Sequence, residues 1–461
     1  MDKTDLLRSL PSVDDVLRWD AIDLLKTRFA HQRLVTWIRQ AVDAQRQMIL
    51  SGAGSDPVRA ITNDVLNQAR ADDGQSIQRV INATGIMLHT NLGRAPLAQR
   101  AIDRVAQATA FANVELDLHT GRRSKRGQRA MDLLAELTGA EAAIVVNNCA
   151  AATMLVLQAV AGGKEVIISR GQLVEIGGGF RLPDVFAAAG VVLREVGTTN
   201  RTYVRDYENA IGENTGALIR VHHSNFLISG FVTEPTIQEL LTAYRPTGMP
   251  VIDDVGSGCI GNLTQFGLHE PDVIASVQAG ADVTLFSGDK LFGGPQAGIV
   301  VGKKIWIDKL RRHPLARAMR VDKMTLAALE ATTEIHLAGN AEQEIPLMQM
   351  LCKTPEELQT TCQQVADAIR PNADAVAARV QVSESESQVG GGSVPGVGIP
   401  SFAVQINQCN VDELSMRLRT GSQPVQGRVS SDSLWIDLRS VADEDVQTLT
   451  EQLANAIGGL K

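Results

Sequence analysis

The sequence predicts an α/β fold, built on a mainly parallel sheet covered by helices on both faces. Two observations predict it. Between about residues 80 and 300, short apolar runs rich in β-formers recur: AAIVV (142–146), EVIIS (165–169), VVLREV (191–196), ALIRVH (217–222), PVIDDV (250–255), VTLFS (283–287) and GIVVG (298–302). Stretches that can be helical separate most of them. Strands apolar at nearly every position, alternating with helices, belong to a parallel sheet buried on both faces.

The elements follow in chain order. Residues 1–70 read as a small helical domain, with apolar residues at helical spacing in DDVLRWDAIDLLKTRF and RLVTWIRQAVDAQRQMIL. SGAGS (51–55) breaks this run, and ADDGQS (71–76) reads as a linker. After the strand region comes a strongly basic stretch, KKIWIDKLRRHPLARAMRVDK (303–323), then a long helix at MTLAALEATTEIHL (324–337). From about 355 onward a smaller α/β unit is expected, with VQVSES, SFAVQI and LWIDLR as its strands. QVGGGSVPGVGIP (388–400) is glycine-rich but does not read as strand–GxGxxG–helix, so it is taken as a plain turn. The division is therefore 1–72, 73–340 and 341–461.

Composition narrows the class. With 461 residues and 44% hydrophobic content, two or three globular domains with a large core are expected. No run of about twenty apolar residues suggests a membrane span, and MDKTDLLRSLPSVDD lacks the apolar stretch of a secretory signal. Five scattered cysteines (149, 259, 352, 362, 409) form no CxxC pair, which fits a reducing cytoplasm. A net charge of −8 argues against general nucleic-acid binding but leaves room for a local basic patch.

In such sheets ligands bind beyond the carboxyl ends of the strands, so the polar residues there carry the argument. After AAIVV comes NNCAAAT (147–153), where Asn148, Cys149 and Ala150 open a helix. The free backbone N–H groups of a helix start suit a phosphate, although an ordinary strand-to-helix connection reads the same way. After PVI come Asp253 and Asp254; strand alternation favours Asp254 as the one facing a ligand. A helix cap or a metal carboxylate would also fit, but no His/Cys/Asp cluster with metal spacing accompanies it. After VTLF comes SGDKLFGGPQAG (287–298), which puts Lys290 just off a buried strand. A solvated lysine in a surface turn is one reading. The other is a lysine held in a pocket to form a Schiff base. Phosphate site, aspartate and lysine at successive strand ends together make the arrangement a pyridoxal-phosphate enzyme needs. Ser287 could add a hydroxyl to the phosphate.

Arginines form a second set. Arg94 lies in HTNLGRAPL (89–97), and HPLARAMR (313–320) places Arg317 and Arg320 three apart, on one face if helical. Arginine forks suit oxyanions, while a solvated basic helix explains the last two equally well. The loop GRRSKRGQR (121–129) reads either as a polyanion contact or as a mobile surface loop.

These motifs carry a resemblance. NATGIMLHTNLGRAPL, SRGQLVEIGGGFRLPDV, GTTNRT, DVGSG, FSGDKLFGGPQAGIVVGKK and HPLARAMRVDKMTLAALEAT are similar to the bacterial selenocysteine synthases, the L-seryl-tRNA(Sec) selenium transferases, over nearly the full length. The resemblance implies a fold-type I pyridoxal-phosphate core working as dimers, arranged as a ring of dimers. It implies Lys290 as the Schiff-base lysine with Asp289 beside it. Asp254, Asn148, Cys149, Ala150, Ser287 and Asn225 would hold the cofactor, and Arg94, Arg317 and Arg320 would bind selenophosphate. The N-terminal domain would hold tRNA. The family has an asparagine where this chain has Cys149.

The activity implied is elimination of water from seryl-tRNA(Sec) and addition of selenium from selenophosphate, giving selenocysteyl-tRNA(Sec). Hydroxide departure needs an acid that the sequence does not identify; Glu175 is either near the cofactor ring or a structural carboxylate. Residues 1–70 are nearly balanced in charge, so tRNA contact there would lean on shape. Two alternatives remain at this stage: a pyridoxal-phosphate lyase acting on a free amino acid or sugar acid, and a non-catalytic RNA-binding protein.

Overall fold

The computed structural model describes residues 3–52, 56–73 and 76–460, which divide into two compact units, 1–80 and 81–461. The first unit is helical. Its two long helices, His31–Ser51 and Pro57–Asp73, bury Leu34, Ile38, Ile61 and Val65 against Val16 and Ile22. The apolar positions recur every three or four residues, which keeps them on one helix face. Gly52, in the left-handed region at φ 85°, ends the first of these helices. The rest of the SGAGS breaker (53–55), like 74–75 of the ADDGQS linker, lies outside the described residues.

In the second unit the strands are β1 (Ile81–Ala83), β2 (Ile86–Leu88), β3 (Ala142–Val146), β4 (Glu165–Ser169), β5 (Glu175–Ile176), β6 (Phe180–Arg181), β7 (Val192–Val196), β8 (Thr215–Val221), β9 (Val251–Gly256), β10 (Val283–Ser287), β11 (Gly298–Gly302), β12 (Arg379–Gly390), β13 (Ser393–Asn407), β14 (Val425–Ser430) and β15 (Ser433–Asp437). Seven form one sheet in the order β3-β11-β10-β9-β8-β4-β7. Five run parallel, β10-β9-β8-β4-β7; β11 is antiparallel to both its neighbours, β3 and β10. β3, β10 and β11 are buried at every position, as the uninterrupted apolar runs require. All seven strands read from the sequence are present, shifted by no more than two residues at an end.

Helices cover both faces. Helix Cys149–Ala161 packs over one, with Leu155 and Val156 against Ile168 and Ile219. Helices Gln128–Thr138 and Lys323–Leu337 contribute Leu134, Leu326 and Leu329 to the other, against Phe286 and Ile299. A second sheet, β1-β14-β15-β13-β12-β2, is backed by helices Pro355–Ala375, Val411–Arg419 and Val446–Gly458. β1 and β2 pair with β14 and β12, so residues 81–88 belong to this second sheet although they precede the large one in the chain. Asp437, fully buried, ties it together by accepting from the hydroxyls of Ser385, Ser387 and Ser401.

Candidate active site

The carboxyl ends of β3, β9 and β10 bring most of the expected residues together. Lys290 is buried in the loop after β10. That loop is held by its own backbone: Gly288 N donates to Ala297 O, Leu291 N to Ser257 O, Gly293 N to Lys290 O and Gly294 N to Gly288 O, all between 2.8 and 2.9 Å. Gly288 has no room for a side chain, because a Cβ would lie 2.6 Å from Pro295 O. The small residues around the lysine are thus packing requirements. The surface-turn reading of Lys290 is excluded by its burial.

Neighbouring aspartates point to opposite faces of β9. Asp253 is consumed: Arg220 grips it with two bonds of 2.8 and 2.9 Å, and Ser276 donates to it. Asp254 faces Thr153 Oγ1 at 3.4 Å and accepts Gly256 N at 3.0 Å. Burial pushes its pKa up to about 7, Lys290 pulls it down, and Asp253 raises it again. A buried carboxylate with so few partners is ready for a cation.

Helix Cys149–Ala161 starts at the end of β3, after Val146 and two connecting residues. Asn148 caps it, accepting Ala151 N at 2.8 Å. The N–H groups of Cys149 and Ala150, the first two helical positions, have no acceptor within the helix and form a positive cradle. β11 begins so close to it that a Cβ on Gly298 would lie 2.1 Å from Asn148 O. The Cys149 thiol lies among Asp254, Lys290, Ser287 and Asp289; burial chiefly raises its pKa and keeps it protonated. Ser287 is within hydrogen-bonding reach of that thiol. Gly298→Ala is expected to push the helix start aside, costing about 1–3 kcal/mol in stability. Cofactor affinity, measured by equilibrium dialysis, should fall with it; unchanged affinity would dissociate the cradle from phosphate binding.

Arg94 joins this group. Its guanidinium bonds the Asp289 carboxylate at 2.7 Å, and Ala95 N donates to Asp289 O at 3.3 Å. Arg94 adopts φ 64°, a left-handed conformation uncommon outside glycine. Such strain persists only where surroundings enforce it, commonly at functional sites.

Arg317 and Arg320 go elsewhere. They line a cavity of about 560 Å³ with Arg126, Arg311, Arg312 and Glu115, and Arg94 does not line it. The expectation of one helical face fails, because helix Pro314–Ala318 ends before Arg320. The chain turns there to pair Arg320 with Val146, and Met319 O accepts Asn147 N at 2.9 Å. The basic cavity therefore adjoins the start of the phosphate cradle. GRRSKRGQR is partly ordered against it: Arg123 bonds Glu115 at 2.7 Å, and Arg126 donates to Val321 O.

Two sequence candidates bond to each other's segment and not to Lys290. Asn225 is exposed and donates to Glu175 O at 2.8 Å. Glu175 is itself exposed and pairs with Arg181 at 3.3 Å across a two-stranded hairpin. Sequence reasoning missed His222, Ser224, Ser257, Glu270 and the triple glycine. Lys290 Nζ donates to Gly392 O at 3.4 Å, and a Cβ on Gly392 would lie 3.2 Å from Nζ and 3.6 Å from Ser224. QVGGGSVPGVGIP is not the plain turn expected: only Gly391 and Gly392 turn, the rest forms the adjoining ends of β12 and β13, and this hairpin tip is placed at the site. Three adjacent glycines, all at positive φ, were the available signal.

A strand-end lysine, an unpaired buried aspartate and a helix-start cradle fit pyridoxal phosphate, and with this sheet they define a pyridoxal-phosphate enzyme of fold type I. The family model for L-seryl-tRNA selenium transferase matches residues 80–442, and that for the selenocysteine synthase N terminus matches 7–46. Curated relatives named L-seryl-tRNA(Sec) selenium transferase include one from Geobacter sulfurreducens, 43% identical over 96% of this chain and 98% of its own. Another, from Carboxydothermus hydrogenoformans, is 42% identical over 96% of both. Among solved structures, D-glucosaminate-6-phosphate ammonia-lyase is similar in fold, with TM-score 0.56 and 20% identity over 83% of this chain and 96% of that one. The chain belongs to the L-seryl-tRNA selenium transferase family.

Proposed function

We infer that this chain converts L-seryl-tRNA(Sec) to L-selenocysteyl-tRNA(Sec), by elimination of water and addition of selenium from selenophosphate. The observation that carries it is Lys290, buried beside Asp254 and the helix-start cradle in a chain of this family.

Bound pyridoxal phosphate supplies an electron sink for the electrons left when the serine α-proton departs. The chain's residues do the rest. The N–H groups of Cys149 and Ala150 would hold the phosphate, with Asn148 fixing their direction and Ser287 beside them. Cys149 costs nothing there, because the backbone does the binding. Asp254 would hold a proton on the cofactor's ring nitrogen through its charge. Lys290 Nζ removes and returns the α-proton. Asp289 orients Arg94, which stays with the lysine loop, while the cavity of Arg317 and Arg320, which Arg94 does not line, would take the selenophosphate oxyanion. Asn225, whose amide donates to Glu175 O, would join the cofactor contacts.

The helical unit, residues 1–72 in this reading, is the tRNA-binding domain, ahead of a catalytic region 73–340 and a smaller region 341–461. We place the enzyme in the cytoplasm, in keeping with five free cysteines; no helix among the described residues is long and apolar enough to cross a membrane. It assembles as dimers arranged in a ring.

The test is direct. Protein loaded with cofactor is incubated with seryl-tRNA(Sec) and selenophosphate, the tRNA is digested, and the aminoacyl-adenosine is weighed by mass spectrometry. Selenocysteyl-adenosine is expected. Persistent seryl-adenosine from fully loaded protein would refute the reading.

A further inference from the structure

Glu270 lies in none of the sequence motifs and in none of the groups assigned above to cofactor or selenophosphate. Its side chain is nonetheless completely buried, in the connection before helix Val273–Ala279. One carboxylate oxygen accepts the backbone N–H of Val394. The other faces His222 Nε2 at 3.6 Å and has no hydrogen-bond partner. Burial raises the Glu270 pKa, while the Val394 N–H, the neighbouring Ser257 hydroxyl and Lys290 pull it down. A carboxylate this buried is costly, so its one backbone bond must be worth keeping.

The residue it holds is strained. Val394 has φ 45°, and for a β-branched residue a positive φ is a genuine outlier. It follows the turn Gly390–Gly392, whose φ values are 75°, 59° and 80°, with only Ser393 between. That turn is wedged against β2: a Cβ on Gly390 would lie 2.4 Å from Ile86, and one on Gly391 2.7 Å from Leu88. Its far end presents the Gly392 carbonyl to Lys290 Nζ. One chain of contacts therefore runs from Glu270, through Val394 N–H and the triple glycine, to the lysine amine.

We propose that Glu270 is a positioning residue: it clamps the Gly390–Gly392 turn through Val394 and so keeps the Gly392 carbonyl against Lys290. The catalytic half of this rests on Lys290 being the reactive lysine; the clamp itself does not. Glu270→Gln keeps an acceptor oxygen of the same reach, Glu270→Ala removes it, and Val394→Gly relieves the strain the clamp opposes.

Hydrogen exchange on the apoprotein reads the clamp. In Glu270→Ala, amides of segment 388–400 should exchange about tenfold faster, with the large sheet unchanged. On the loaded enzyme, kcat should fall on the order of 100-fold, the scale of a misplaced catalytic group. KM for seryl-tRNA should stay within about threefold, the pattern of a contact that matters in the transition state. Glu270→Gln should stay close to the parent in both readouts. Glu270→Ala/Val394→Gly should recover about tenfold of the lost kcat, because glycine takes the left-handed φ freely.

Wild-type exchange of 388–400 in Glu270→Ala would overturn the clamp. So would Glu270→Gln as slow as Glu270→Ala, which would make the charge and not the hydrogen bond decisive. Faster exchange with unchanged kcat would overturn the link to Lys290. An active Lys290→Ala protein would instead overturn Lys290 as the reactive lysine, and persistent seryl-adenosine from the loaded parent would overturn the function reading. If Glu270→Ala does not fold, Glu270→Gln carries the test, and loss of either property in it refutes the proposal.

Discussion

Lys290→Ala is expected to lower the rate of selenocysteyl-tRNA formation by on the order of 10⁴-fold, the upper range for one acid–base group. The substitution should leave the fold intact. The loop carrying Lys290 is secured by backbone bonds among Gly288, Leu291, Gly293 and Gly294, none of which uses the lysine side chain. Among the described residues, the one hydrogen bond of the side chain is the 3.4 Å contact to Gly392 O, a long one. The thermal midpoint of the apoprotein should therefore barely move. The visible absorption of a lysine-linked cofactor should vanish while the phosphate cradle still binds the free cofactor. Turnover within tenfold of the parent would show that another group carries the proton.

The second large effect separates two adjacent aspartates. Asp254→Ala should reduce turnover by on the order of 10²–10³-fold, the cost of removing one preorganised charge from a catalytic site. Asp253→Asn should instead destabilise the protein by about 3–5 kcal/mol, because Arg220 loses the partner that pays for its partly buried charge. The pH dependence has a definite sign. The Asp254 pKa is raised from 3.8 to about 7 in the folded chain by burial. Below pH 4 both folded and unfolded chains hold this proton. As pH rises from 4 to 7 the unfolded chain releases it first, so the apoprotein loses stability through that window. The Asp254→Asn apoprotein should lack that loss and melt higher than the parent at pH 7. Urea midpoints at pH 4 and pH 7 measure it; parallel behaviour of the two proteins would contradict a raised Asp254 pKa.

Much of the large sheet was legible because its residues face one kind of environment. A strand buried on both faces leaves an uninterrupted apolar run, and AAIVV, EVIIS, VTLFS and GIVVG are such runs. Lys290 and Asp254 were legible for a related reason: polar residues directly after those runs have few places to go except the ligand edge. The basic pair Arg317 and Arg320 was legible as composition but not as geometry, since the end of helix Pro314–Ala318 turns on the pairing of Arg320 with Val146.

By itself, then, the sequence determined the α/β class, the strand series and the chemistry of the strand ends, because burial and local geometry leave their marks on neighbouring residues. Three things were decided only by the tertiary structure. Alternation already favoured Asp254, but the partner that consumes Asp253 is Arg220, 33 residues away, and only the fold closes the two together. The pairing of β1 and β2 with the C-terminal sheet joined residues some 300 or more apart. The arrival of Gly392 and Glu270 at Lys290 required the fold to bring a turn from the second sheet over the edge of the first. Contacts between distant segments leave no periodicity and no spacing behind, so nothing short of the folded chain could place them.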